Sequence, residues 1–98
     1  ESEIYVPNLF TPNFDGINDQ VGPMGPEGVG TIVYFRIFDR WGELVFEAND
    51  TPLAPASGAW DGAFKGNPLP AGVYAYMLEV RFLNGRIVHK NGDITLLH

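Results

Sequence analysis

With 98 residues, 45% of them hydrophobic and 13% aromatic, the chain suits one domain with one core, residues 1–98, and is too apolar to be disordered. Six Lys and Arg against twelve Asp and Glu give a formal charge of −6, which excludes the clustered cations that nucleic acid or an anionic membrane surface requires. No cysteine is present, so disulfides and thiolate metal sites are excluded, and no apolar run approaches the length of a membrane-spanning helix.

Residues 3–6, EIYV, predict a short first strand, ended by Pro7, which lacks the N–H that a ladder needs. Residues 8–20 read as a polar loop plugged by Leu9, Phe10, Phe14 and Ile17. Residues 21–30 hold four glycines and two prolines and predict an irregular connection. Residues 31–39, TIVYFRIFD, and 43–48, ELVFEA, predict the next two strands. Between them Asp39-Arg40-Trp41-Gly42 has the form of a type I turn. Its Asp carboxylate can accept turn N–H groups, and its Gly can supply the positive φ of a following bulge. Residues 49–59 read as a loop. Trp60-Asp61-Gly62 reads as a turn anchored by a buried indole, and the segment after it as a turn-rich connection.

The last third predicts a long β-hairpin. GVYAYMLEVRFL and RIVHKNGDITLLH flank Asn84-Gly85, and both turn residues tolerate positive φ. A two-residue loop there sets Phe82 opposite Ile87 and Glu79 opposite Lys90. Alternation puts Tyr74, Tyr76, Leu78, Val80 and Phe82 on the core face. A second Asn-Gly, at Asn91-Gly92, is expected to be a β-bulge that brings Ile94 and Leu96 across from Tyr76 and Tyr74. With no helical period anywhere, the pattern predicts an all-β, immunoglobulin-like sandwich of about seven short strands ending in this hairpin; a small barrel is the alternative.

Four motifs in chain order carry a family resemblance. They are FTPNFDGIND at residues 10–19, IFDRWGELVFE at 37–47, WDGAFKGNPLPAGVYAYMLEV at 60–80 and NGDITLLH at 91–98. Together they make the chain resemble the gliding-motility-associated C-terminal domain (CHU_C-like), the type B sorting domain of the type IX secretion system. Phe14 stands where that family more often has Gly. The resemblance implies a piece of a larger secreted protein, and the opening at Glu1 without Met agrees. It implies that this domain directs its cargo across the outer membrane, to the cell surface or the medium, by protein–protein recognition. It also implies an outer-membrane partner of the PorP/SprF kind. The domain is expected to act as a monomer that does not itself enter the membrane.

Candidate sites follow from residue types. Asn13, Asp15, Asn18 and Asp19 sit in a Gly-containing loop at spacings that can offer several oxygens to Ca²⁺. The competing and favoured role is capping of turns through side-chain to backbone bonds. The terminal hairpin is the first candidate partner surface, with Asn84, Gly85, Ile94, Thr95, Leu96 and Leu97, because strand edges expose N–H and C=O groups that a partner can extend. Removal of the last few residues is expected to abolish export and leave most of the fold. Arg40-Trp41 is the second candidate surface, although Trp41 is expected to pack back onto the sandwich. Asp39, Gly42, Trp60, Asp61 and Gly62 are assigned to turns. Two histidines, His89 and His98, and two serines, Ser2 and Ser57, show no local pairing of nucleophile and base, so no enzyme is expected. The competing functions are a carbohydrate-binding or adhesive module that stacks sugars on Trp41, Tyr74 or Tyr76, and a passive stalk.

Overall fold

A computed structural model describes residues 4–11, 20–25, 30–53 and 58–97. The described strands are β1 (Leu9–Phe10), β2 (Gly30–Phe38), β3 (Leu44–Pro52), β4 (Ala63–Phe64), β5 (Asn67–Pro68), β6 (Gly72–Phe82) and β7 (Ile87–Leu96). They form an all-β, immunoglobulin-like sandwich. One layer is a sheet in the order β1-β7-β6-β2-β3. Its β7-β6-β2-β3 part is antiparallel throughout and follows the G-F-C-C′ order of immunoglobulin variable-type domains. The other layer is made of short pieces: the β4–β5 hairpin and single bridges from Tyr5 to Met24 and from Val21 to Trp60.

The core lies between these layers. Strand β6 alternates strictly, and Tyr74, Tyr76, Leu78 and Val80 are buried on one face. Ile94 and Leu96 join them from β7. In β2 the parity changes part-way, from Ile32 to Phe35 and Ile37. The cause is a bulge: Ile32 pairs with Val80 and Tyr34 with Glu79, so Val33 is an extra residue on β2. The second layer contributes Ile4, Val21, Leu53 and Trp60. Trp60 is fully buried, packs edge-on against Tyr74 at 5.3 Å, and donates its indole N–H to the Ala63 carbonyl at 3.0 Å. The Tyr74 hydroxyl donates to the Pro70 carbonyl at 2.7 Å, the tyrosine corner of immunoglobulin-like folds.

Several expectations need correction. Of the first strand only the Tyr5 bridge is seen among the described residues. Leu9 and Phe10, expected as loop plugs, run parallel to β7 beside Thr95 and Leu96. Strand β3 continues through Asn49 to Pro52, with Asp50 at φ 51°. The connection after Gly62 contains the β4–β5 hairpin, where Lys65 and Gly66 both take positive φ, at 54° and 83°. Lys is a poor sequence signal for that turn, so the hairpin was not legible.

The terminal hairpin is off by one residue from its expected register. Gly85 N–H donates to the Phe82 carbonyl and Phe82 N–H to the Arg86 carbonyl, so the loop has three residues, with Gly85 at φ 89°. The Asp39–Gly42 tip repeats this geometry, with Gly42 N–H donating to the Asp39 carbonyl and Gly42 at φ 83°. Both are type I turns closed by a glycine bulge. The shift sets Glu79 opposite His89 and Tyr74 opposite Ile94, and the ladder runs without a bulge past Asn91 and Gly92. Gly92 has a different use: a side chain there would meet the Tyr76 ring at 3.1 Å, so the glycine is the seat of that ring.

Three substitutions test this packing. In urea, Trp60→Ala should lose about 3–5 kcal/mol, because it empties the largest buried site. Tyr74→Phe should lose about 1 kcal/mol, the net value of one hydrogen bond. Gly85→Ala should lose about 1–2 kcal/mol, because the strain of a left-handed residue is the main cost where no atom lies within 4 Å of the added carbon. An unchanged urea midpoint for Gly85→Ala would refute the three-residue loop.

Candidate partner-recognition surface

The register sorts the candidate residues into two opposite ends of the sheet. Phe38 pairs with Ala75, and Thr95 with Val73, so the Asp39–Gly42 tip, the start of β6 and the end of β7 share one end. Asn84 and Gly85 lie at the other. Strand β6 has 11 residues, and at a rise of about 3.3 Å each the two ends are roughly 33 Å apart. A single compact contact cannot include Arg40, Trp41 and Leu97 together with Asn84 and Gly85.

Among the end residues, Ile94 and Leu96 are 0% exposed and belong to the core, which removes their side chains from any contact surface. Thr95 is half-buried and Leu97 exposed. The outer edge of β7 is also not open along its whole length. Thr95 N–H donates to the Asn8 carbonyl at 2.8 Å, and β1 lies beside Thr95 and Leu96. The free part of that edge carries the outward N–H and C=O groups of Ile87, His89, Asn91 and Asp93. Lys90 stands there on the core-facing side and Gly92 has no side chain, and an inward charge of this kind discourages strand addition. The other free edge, β3, is interrupted by the left-handed Asp50 and ends at Pro52.

Trp41 does not pack back onto the sandwich; it is 83% exposed. The turn beneath it is fixed by Asp39, whose Oδ1 accepts from the N–H groups of Trp41 and Glu43, both at 2.9 Å. The Arg40 guanidinium lies 5.9 Å from the Trp41 ring centroid. Between this tip and residues 69–74 is a groove with a volume of about 110 Å³. The two tyrosines considered as sugar platforms are core residues, which leaves Trp41 as the exposed ring of that set. At the structural turn, Asp61 accepts from Ala63 N–H at 3.1 Å and Gly62 has φ 82°. Asn84 Oδ1 accepts from Arg86 N–H at 2.9 Å and stabilises the far tip.

Asn13, Asp15, Asn18 and Asp19 lie outside the described residues, as do Ser2, Ser57 and His98. Among the described residues no group of three His, Asp or Glu is placed to hold a metal. His89 Nε2 lies 2.8 Å from Glu79 Oε1 on the exposed face of the sheet, so its partner is the cross-strand carboxylate.

The sequence model of the CHU_C Type IX secretion signal domain matches residues 4–96. The chain belongs to this family. The type IX secretion signal domain is thus recognised by secretion machinery and serves export across the outer membrane. No curated protein matches the chain. Among solved structures, CopC from Methylosinus trichosporium OB3b is similar in fold, with a TM-score of 0.57 and 19% identity over 94% of this chain and 84% of that one. That likeness concerns the sandwich alone.

The signal domain's two core tyrosines border this end of the sheet, and both resist ionisation. Burial raises the Tyr74 hydroxyl above the usual 10.0, nearby Asp39 raises it further, and Arg40 opposes them. Burial, then Asp93, raises Tyr76. A pKa raised in the folded state favours the neutral form there. The associated stability is complete below the unfolded value and is lost as pH rises through the folded one. Stability should fall from about pH 10 upward. Urea midpoints from pH 9 to 11 should drop less steeply for Tyr76→Phe than for the parent; equal slopes would show that these tyrosines titrate normally.

Proposed function

We propose that this domain is a C-terminal sorting signal that carries a larger cargo protein across the outer membrane by protein–protein recognition, as a monomer, and delivers it to the cell surface or the medium. The observation that carries the reading is the family match over residues 4–96. The partner fitting a type B signal is an outer-membrane protein of the PorP/SprF kind. The described chemistry supports a recognition role over catalysis. Among the described residues no Asp, Glu, His, Lys or Arg is buried, and the buried Tyr74 hydroxyl is spent on the Pro70 carbonyl.

Removal of the chain's last few residues is a poor test, because it takes Leu96 from the core and the partner strand from β1. Loss of export would then follow loss of fold. The informative experiment keeps all 98 residues. Fused behind a signal peptide and a fluorescent protein, in a host with a type IX system, residues 1–98 should send the reporter outside the cell only when the cognate PorP/SprF-like protein is present. Reporter retained in the periplasm in both strains would refute the sorting role.

A further inference from the structure

Resting on the sorting reading, we propose that the Trp41 end of the sheet's solvent face docks onto a protein partner that presents an apolar side-chain cluster bordered by Lys or Arg. The surface follows from the strand register. Phe38 is flanked by Leu44 on one side and Ala75 on the other, and Val73 and Met77 precede and follow Ala75 on the same face of β6. Leu44 is 37% exposed, Met77 43% and Val73 56%, and Trp41 stands at their margin at 83%. Apolar residues scattered singly on a surface need no explanation. A contiguous group with a polar border marks an interaction site. The border runs through the next row of the same face, where Met77 lies beside the Arg36–Glu47 ion pair, 2.7 Å, and is completed in the row beyond by the His89–Glu79 pair.

Charge selects the kind of partner. Asp39, Glu43 and Asp93 rim the apolar group; among the described residues the cations beside it are Arg40 and Arg36, and Arg36 is neutralised by Glu47. Neither Glu43 nor Asp93 has an ion pair among the described residues. Of the chain's six Lys and Arg, Arg40 lies over the Trp41 ring within the patch, while Arg36, Lys65 and Arg86 lie over the rings of Tyr34, Phe64 and Phe82. The patch is therefore apolar with an acidic rim, and its complement is apolar with a basic rim. Trp41 is the natural anchor, being a large side chain held on a turn that Asp39 has already ordered. Addition of a partner strand is the competing mode, and the devices at both free edges oppose it.

The test uses residues 1–98 and three variants. Trp41→Ser removes the anchor. Glu43→Lys with Asp93→Lys reverses the rim. Leu83→Ser alters an equally exposed apolar residue at the far tip, 81% exposed. Binding is measured to a purified PorP/SprF-like protein in detergent, at low and high salt, alongside reporter export and the urea midpoint. Trp41→Ser should weaken binding by about tenfold or more, as an anchor residue does. The charge reversal should weaken it at low salt and flatten its salt dependence. Both should lower export at an unchanged urea midpoint, while Leu83→Ser behaves as the parent. If the parent binds and is exported, and Trp41→Ser and the charge reversal match it, the docking surface is wrong and the sorting role stands. A parent that dimerises through Trp41 would overturn the proposal in favour of a second copy. If the parent itself directs no export, the sorting reading fails first.

Discussion

Strand β6 is the constraint on which the rest depends. It is hydrogen-bonded along both sides, to β2 and to β7, so each neighbour takes its register from it. Its alternation fixes which face is core: Tyr74, Tyr76, Leu78 and Val80 point one way, Val73, Ala75, Met77 and Arg81 the other. A one-residue slip against either neighbour would turn every partner side chain to the wrong face, and two local devices prevent it. The extra Val33 lets β2 offer Ile32 and then Phe35 and Ile37 to the same core. The glycine at position 92 admits the Tyr76 ring across the β6–β7 ladder. At its N-terminal end β6 is fastened to the second layer by Tyr74, which packs on Trp60 and bonds back to Pro70.

This constraint explains what the sequence made legible. The long strands were readable because period-two alternation with β-branched and aromatic residues has one meaning over eleven residues. The core face of β6 was readable for the same reason. The register of its hairpin was not, because Asn-Gly suits both a two-residue loop and the last two places of a three-residue loop. That single ambiguity produced the second error. With the wrong register, Ile94 and Leu96 face the core only if a bulge is inserted at Asn91-Gly92; with the right one they face it without help. The short elements were invisible for a different reason. Two-residue strands such as Leu9–Phe10 and Asn67–Pro68 have no periodicity to detect: the first is defined by its pairing with the long β7, the second by its pairing with the equally short β4.

The candidate surface was only partly legible. Arg40 and Trp41 stand out by residue type, and the turn that presents them is written in Asp39 and Gly42. Their companions are not, because Leu44, Val73 and Met77 are separated in sequence and meet only through cross-strand pairing. Sequence instead favoured the chain end, where a strand edge was expected to offer unpaired N–H and C=O groups. The structure uses two of those residues, Ile94 and Leu96, for the core and covers the adjacent edge with β1.

An open edge and an exposed face differ in what they can specify. Backbone groups along an edge are the same in every protein, so an edge recognises almost any extended chain, which is a hazard for a domain that must travel unfastened between compartments. Side chains on a face are particular to it, and their arrangement can reject wrong partners as well as hold the right one. The features of this sheet divide along that line. Where generic pairing could occur, there are a left-handed Asp50, a terminal Pro52 and an inward Lys90. Where specific pairing could occur, there is an exposed Trp on an ordered turn beside an apolar group with unneutralised acids around it. A secretion signal gains from both halves of this arrangement, because its task is to be ignored by every surface it passes except one.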